Sequence, residues 1–235
     1  MPYRTLKPEH IIATARGISE RINDRFPEAG LSGVGREMVA LSHDIVADTA
    51  TIDRPILWLR AMIGLVVAIG AAGTSYLAMQ AVLPDNPRLG AIELVQAIEA
   101  GMNVAVLIGA GLFTLVKLEE RVKRQRALKG LHGLRSLIHV IDMHQLTKDP
   151  MAMTADYVPT QKSPQRRFSP AELVRYLDYC SEMIAVTGKL AALYAQALSD
   201  LSVVQAVNDI ENLGSNLSRK VWQKIALIDG NRKAI

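Results

Sequence analysis

The 235 residues are enough for one or two compact domains, but 49% of them are hydrophobic and these are concentrated in runs rather than spread along the chain. A net charge of +4 excludes a strongly basic or acidic protein. The lone cysteine, Cys180, excludes an internal disulfide and fits a reducing compartment.

In chain order, the first helical signal opens at Pro8. Ile11, Ala15, Ile18 and Ile22 recur at helical spacing until Phe26-Pro27 stops them. After a Gly30-Leu31-Ser32-Gly33 turn, Val34, Met38, Leu41 and Ile45 repeat the pattern up to Asp53-Arg54-Pro55. Residues 1–54 thus read as a pair of cytoplasmic amphipathic helices.

Two apolar runs follow. Ile56 to Leu83 spans 28 residues with one charge, Arg60, and Ala100 to Val116 spans 17 with none. A hydrocarbon core about 30 Å thick takes roughly 20 apolar helical residues. A transmembrane hairpin is therefore expected over 55–117, with spans at about 56–82 and 97–117 and an outer loop at 83–90. The first run starts too far into the chain, and is too long, for a secretory signal.

Basic residues fix the expected orientation. Lys117, Arg121, Lys123, Arg124, Arg126 and Lys129 follow the second run, Arg54 and Arg60 flank the first, and the segment between them holds only Arg88. The positive-inside rule then puts both termini in the cytoplasm of a multi-pass protein of a bacterial-type inner (plasma) membrane. Lys117, Arg121, Lys123 and Arg124 would meet the anionic headgroups of the lipid bilayer. No aromatic residue is interleaved with this cluster, so nucleic acid is not an expected partner.

Small residues recur every fourth position in both runs: Gly64, Ala68 and Ala72 in the first, Gly101, Ala105 and Gly109 in the second. Such stripes let membrane helices approach closely, which predicts packing of the spans on each other or on neighbouring subunits of a homo-oligomer. Gln96, Glu99 and Asn103 form a polar stripe at i, i+3 and i+7, and with Glu93 they are the candidates for a pore or ion-binding site. Glu99 precedes Lys117 by 18 residues, or about 27 Å, which places it at the outer edge of the hydrocarbon core. In a symmetric oligomer its carboxylates would form a cation-collecting ring. Otherwise Glu99 meets the headgroups and Asn103 bonds between helices.

Gly101-Met102-Asn103 resembles the Gly-Met-Asn signature at the outer mouth of CorA-type magnesium channels. In that family the triplet follows the first, pore-lining span and precedes the outer loop. Here it follows the loop and begins the second span, with Ala100 and Val104 in place of the flanking aromatic residues. The resemblance covers these three residues, and the packing stripe accounts for them.

No proline interrupts Ala91 to Thr147, so the second span is expected to continue as one helix through a cytoplasmic extension, 118–147. Leu131, Leu134, Ile138 and Ile141 give it an apolar edge suited to a coiled coil or bundle. His132, His139 and Asp142 share a stripe and form a candidate site for a divalent transition metal, unless they only cap the helix and hydrogen-bond within a bundle. A linker, 148–168, carries Pro150, Pro159 and Pro164.

Ser169-Pro170-Ala171-Glu172 then starts a helix with a capping box. Behind it Leu173, Leu177, Cys180, Ile184, Thr187, Ala191, Tyr194 and Leu198 alternate spacings of 4 and 3. Arg175, Glu182, Lys189 and Gln196 recur every seven residues on another, solvated face. A last helix, with Val203, Val207, Ile210, Leu217, Val221 and Ile228 along one side, would close an antiparallel hairpin over 169–235 with a close crossing at Gly214. No strand-like alternation occurs, and the fold class is an all-α membrane protein: a two-span transmembrane hairpin with long cytoplasmic helices in a bundle or coiled coil.

Chemistry is sparse. Thr187-Gly188-Lys189 ends like a phosphate loop but lacks the upstream glycine and the strand-to-helix context. Metalloprotease, paired-cysteine zinc and nucleophile-elbow motifs are missing. The sequence therefore predicts a non-enzymatic integral membrane protein, without a cofactor, that self-associates and presents a cytoplasmic bundle for assembly or for a cytoplasmic protein partner. A homo-oligomeric cation channel with an acidic outer mouth is the alternative, and a metal-binding cytoplasmic sensor the third reading.

Overall fold

The computed structural model describes residues 5–52, 54–82, 91–153, 157–163 and 168–233, and among these every regular element is helical. In chain order these are α1 (Pro8–Arg25), α2 (Gly30–Ile52), α3 (Leu57–Val82), α4 (Ala91–Leu146), a 3-10 turn (Pro150–Met153), α5 (Pro170–Ala197) and α6 (Leu201–Lys233). The proline-free stretch from Ala91 is one helix, as its sequence predicts. The expected outer loop lies outside the described residues. Two compact units result, one formed by Arg54–Lys123 and the other by Met1–Asp53 with Arg124–Ile235.

In the larger unit the stripe Ile11, Ala15, Ile18 and Ile22 of α1 is buried, as are Leu31, Met38 and Ile45 of α2. Helix α2 begins at Gly30, so Gly30-Leu31-Ser32-Gly33 is its first turn and not the connecting turn that its glycines suggest. Burial explains the difference: Leu31 and Ser32 face inward, and the Ser32 hydroxyl donates to Asn23 Oδ1 at 2.9 Å. The connection is instead the Phe26-Pro27-Glu28-Ala29 segment, closed by Ala29 N donating to Phe26 O. Gly35 lets α1 approach, since a β-carbon there would lie 3.1 Å from Ser19 Oγ and 3.3 Å from its Cα.

Helix α5 starts with the complete capping box: the Ser169 side chain accepts from Glu172 N and the Glu172 carboxylate accepts from Ser169 N. Its seam is buried from Leu173 to Tyr194. Leu173 and Leu177 pack with Val221, Ile225 and Ile228 of α6, and Gly214 of α6 sits against Ile184, where a β-carbon would come within 3.1 Å. With the short 198–200 connection at the other end, α5 and α6 run antiparallel.

One core joins these parts. Leu131, Leu134, Leu137, Ile138 and Ile141 of α4 are buried in the same cluster as the inward faces of α1, α2, α5 and α6. Each such side chain contributes about 1.5–3 kcal/mol on burial. The N-terminal helices and the C-terminal hairpin, separate segments in the sequence, thus fold as one bundle with this part of α4, and α5 packs on α1, α2 and α6. The ends of the proline-rich linker are also packed: Pro150 is buried, and Phe168 stacks edge-on to Phe26 at 5.1 Å between ring centroids.

In the smaller unit, Gly70 of α3 lies against Ile108 of α4, and Ile56 and Arg60 at the start of α3 reach Glu119. The small-residue stripes do not make this contact. Among the described residues, Gly64, Gly101 and Gly109 have nothing within 4 Å of a β-carbon, and Ala68, Ala72 and Ala105 are exposed. Among the described residues the α3–α4 contacts fall instead at Gly70, where Ile108 occupies the space of a β-carbon, and at Glu119.

Candidate functional site

The largest chemical anomaly is apolar surface. Stretches within Gly30–Gly73 and Gly101–Ala152 are long and apolar enough to cross a membrane, and 6% and 0% of their apolar windows are buried. A core helix of a water-soluble protein would be covered. Here Leu65, Ile69, Val106 and Leu107 are each at least 60% exposed, and Trp58 and Phe113 are exposed beside them. Exposed apolar residues in such number mark the kind of surface that a membrane or a protein partner covers.

At the basic end of this unit, Glu119 organises the charges. Its carboxylate pairs with Lys123 at 3.0 Å and Arg60 at 3.7 Å and accepts from Ile56 N at 3.4 Å. The Lys123 hydrogen bond is the main reason that its carboxyl titrates below the usual range. Lys117 pairs with Glu120 at 2.8 Å, and Arg124 with Asp200 at 3.4 Å. Of the four predicted headgroup-binding residues, only Arg121 has no carboxylate partner among the described residues. Two of the acids that temper this cluster, Glu119 and Glu120, stand within it in the sequence, whereas Asp200 comes from 76 residues away.

Of the polar stripe, Glu99 and Asn103 are exposed, so neither is buried against α3. Glu93 and Gln96 lie in α4 with their side chains outside the described residues. The metal candidates are not assembled. His132 and His139 are exposed, the Asp142 carboxylate accepts from Gln145 Nε2 at 2.5 Å, and among the described residues no group of three potential ligands could hold an ion.

Instead, a polar node closes the C-terminal end of α4. Lys224 of α6 donates to both Gln145 O and Gln145 Oε1, at 2.8 and 2.7 Å; it satisfies the buried amide oxygen and shares the carbonyl with Lys148 N, which donates to it at 3.1 Å. Burial pulls the Lys224 ammonium below its ordinary pKa. Nearby Cys180 is fully buried and its thiol is pushed up to about 12 by desolvation, which makes it an inert core residue and not a nucleophile. His144 lies where a side chain on Gly30 would stand; burial and then Lys148 lower its pKa.

A groove that the sequence reading did not foresee runs between α1 and α5, with a cavity volume of about 770 Å³. Two contacts bracket it. Gln196 clamps the backbone of Leu6, accepting from its N–H at 2.9 Å and donating to its carbonyl at 3.3 Å, and Arg21 pairs with Glu182 at 2.6 Å. The one available signal was the seven-residue recurrence of Arg175, Glu182, Lys189 and Gln196 on α5. That face is not simply solvated, because Glu182 and Gln196 hold the N-terminal segment across a separation of more than 150 residues.

Comparison with protein-family models, with curated proteins and with solved structures finds no match to this chain.

Proposed function

We propose that this chain is a non-enzymatic membrane protein in which α3 and the first part of α4 form a transmembrane hairpin, while the bundle of α1, α2, α5, α6 and the rest of α4 is held in the cytoplasm for assembly with other copies or a protein partner. The observation that carries this reading is the nearly complete exposure of two apolar helical windows in a chain whose other helices bury theirs. Water would not tolerate that surface, and a bilayer core would cover it. Basic residues at the Arg60–Glu119 end, against a single arginine in the segment between the spans, support a cytoplasmic bundle. The uncovered Gly64 and Gly101 stripes support self-association, since close helix approach is what small residues permit in lipid.

Alkaline carbonate washing of membranes from expressing cells tests the premise. The chain should stay in the pellet and be released only by detergent; appearance in the wash would end this reading. Light scattering in detergent should then give a mass above that of one 25.7 kDa chain. A strictly monomeric particle at high concentration would remove self-association.

A further inference from the structure

We propose that the groove between α1 and α5 binds a single-chain amphiphile with a carboxylate head, of the long-chain fatty-acid class. This is separate from the membrane reading, because the groove lies wholly within the helical bundle.

Size and lining set the ligand class. A volume of about 770 Å³ falls within the range of roughly 300–1,000 Å³ typical of small-molecule sites. The floor is apolar: Ile11, Ile18 and Val186 line it and are only 5%, 2% and 4% exposed. From Lys7 to Arg21 the groove follows about 21 Å of helix, a length that suits a long extended chain.

Charge sets the head group. Arg21 at one end is already neutralised by Glu182. Lys7 at the other end and Lys189 along the wall have no carboxylate partner among the described residues; the Lys189 ammonium donates only to Ala185 O, at 3.3 Å. The remaining positive potential therefore lies toward the Lys7 end, and an anionic head there would complete a charge-assisted pair. Gln196 holds Leu6, and with it the Lys7 wall, in place.

The test uses the full chain in neutral phosphatidylcholine nanodiscs and a palmitate whose chain carries a photoreactive diazirine, with adducts mapped by peptide mass spectrometry. Adducts should fall on α1 and α5 peptides and be competed by palmitate about tenfold more strongly than by hexadecanol, which lacks the charge. The double substitution Lys7→Glu, Lys189→Glu should cut groove labelling about tenfold and leave any labelling of α3 and α4 unchanged, a built-in control for protein integrity. Gln196→Ala should also weaken it. The proposal is overturned by adducts confined to α3 and α4, by equal competition from the alcohol, by indifference to the charge reversal, or by displacement with an acidic amphipathic peptide and not with palmitate, which would assign the groove to a protein.

Discussion

Tyr194 of α5 sets its phenolic oxygen against Gly130 of α4, in the space where a β-carbon would stand, and donates a 3.3 Å hydrogen bond to Asp48 of α2. Three helices meet at this point, and only glycine fits beneath the ring. Gly130→Ala should therefore destabilise the bundle even though alanine is the better helix former. Overpacking costs about 1–3 kcal/mol and propensity returns about 1 kcal/mol. A net loss of about 1 kcal/mol would lower Tm by roughly 2–4 °C for a chain of this size. Tyr194→Phe should cost about 1 kcal/mol through the lost hydrogen bond. Because the two residues touch, the double variant should lose less than the sum of the single ones. A rise in Tm for Gly130→Ala, followed by circular dichroism, would contradict this packing.

The Lys224–Gln145 pair makes a second prediction. Lys224→Met keeps the aliphatic stem but leaves the buried Gln145 Oε1 without its donor, while the Gln145 carbonyl keeps Lys148 N. An unsatisfied buried acceptor costs about 1–3 kcal/mol, so the urea midpoint should fall with an unchanged slope. An unaltered midpoint would mean that water replaces the ammonium.

Acid should weaken the bundle in two steps. His144 titrates below its ordinary 6.5 in the folded chain, chiefly because burial disfavours the imidazolium. The stability it contributes is complete above 6.5 and declines as pH falls below that value, where the unfolded chain takes up the proton first. Glu172 titrates below 4.5 because Ser169 hydrogen-bonds its carboxylate; its contribution is present above 4.5 and is lost as pH falls through the folded value. His144→Gln should flatten only the upper step and Glu172→Gln only the lower, in urea midpoints measured across this range. An upper step that survives in His144→Gln would assign it to another group.

Local signals carried much of the fold. The stripe Ile11, Ala15, Ile18, Ile22, the Ser169 capping box and the α5 seam were legible because propensity, capping and periodicity are written within a few turns. The helical start at Gly30 was not, because its glycines answer to His144 and Ser19, residues of other elements that the local pattern cannot supply. The same reason hid the α1–α5 groove and the Lys224–Gln145 node, whose partners lie far apart in the chain. Spacing alone also does not assemble a site: His132, His139 and Asp142 share a stripe, yet within the described residues the histidines are exposed and Gln145 engages the aspartate.

The uncovered small-residue stripes lead to a further prediction. A β-carbon added at Gly64, Gly101 or Gly109 has nothing within 4 Å among the described residues, so Gly64→Leu and Gly101→Leu should leave the fold of the monomer intact. If those faces join copies, bulky leucine should separate the backbones and shift the particle toward a single chain in light scattering. Gly70→Leu serves as the contrast, since Ile108 already fills that notch and the substitution should disturb the chain itself. Assembly that persists in both stripe variants would place the interface elsewhere.

Cys180 makes the proposed topology measurable. Fully buried, with its thiol held near 12, it should take up no maleimide in the folded chain and one equivalent after denaturation. The native cysteine is therefore silent, and a single introduced thiol can report its own side of the membrane. Asn86→Cys, in the segment between the spans, should react with a membrane-impermeant maleimide on intact cells. Arg126→Cys, at an exposed position within the basic cluster, should react only after permeabilisation. The reverse pattern would invert the orientation, and reaction of both on intact cells would remove the hairpin. Labelling of native Cys180 in the folded protein would show that the α5 seam opens.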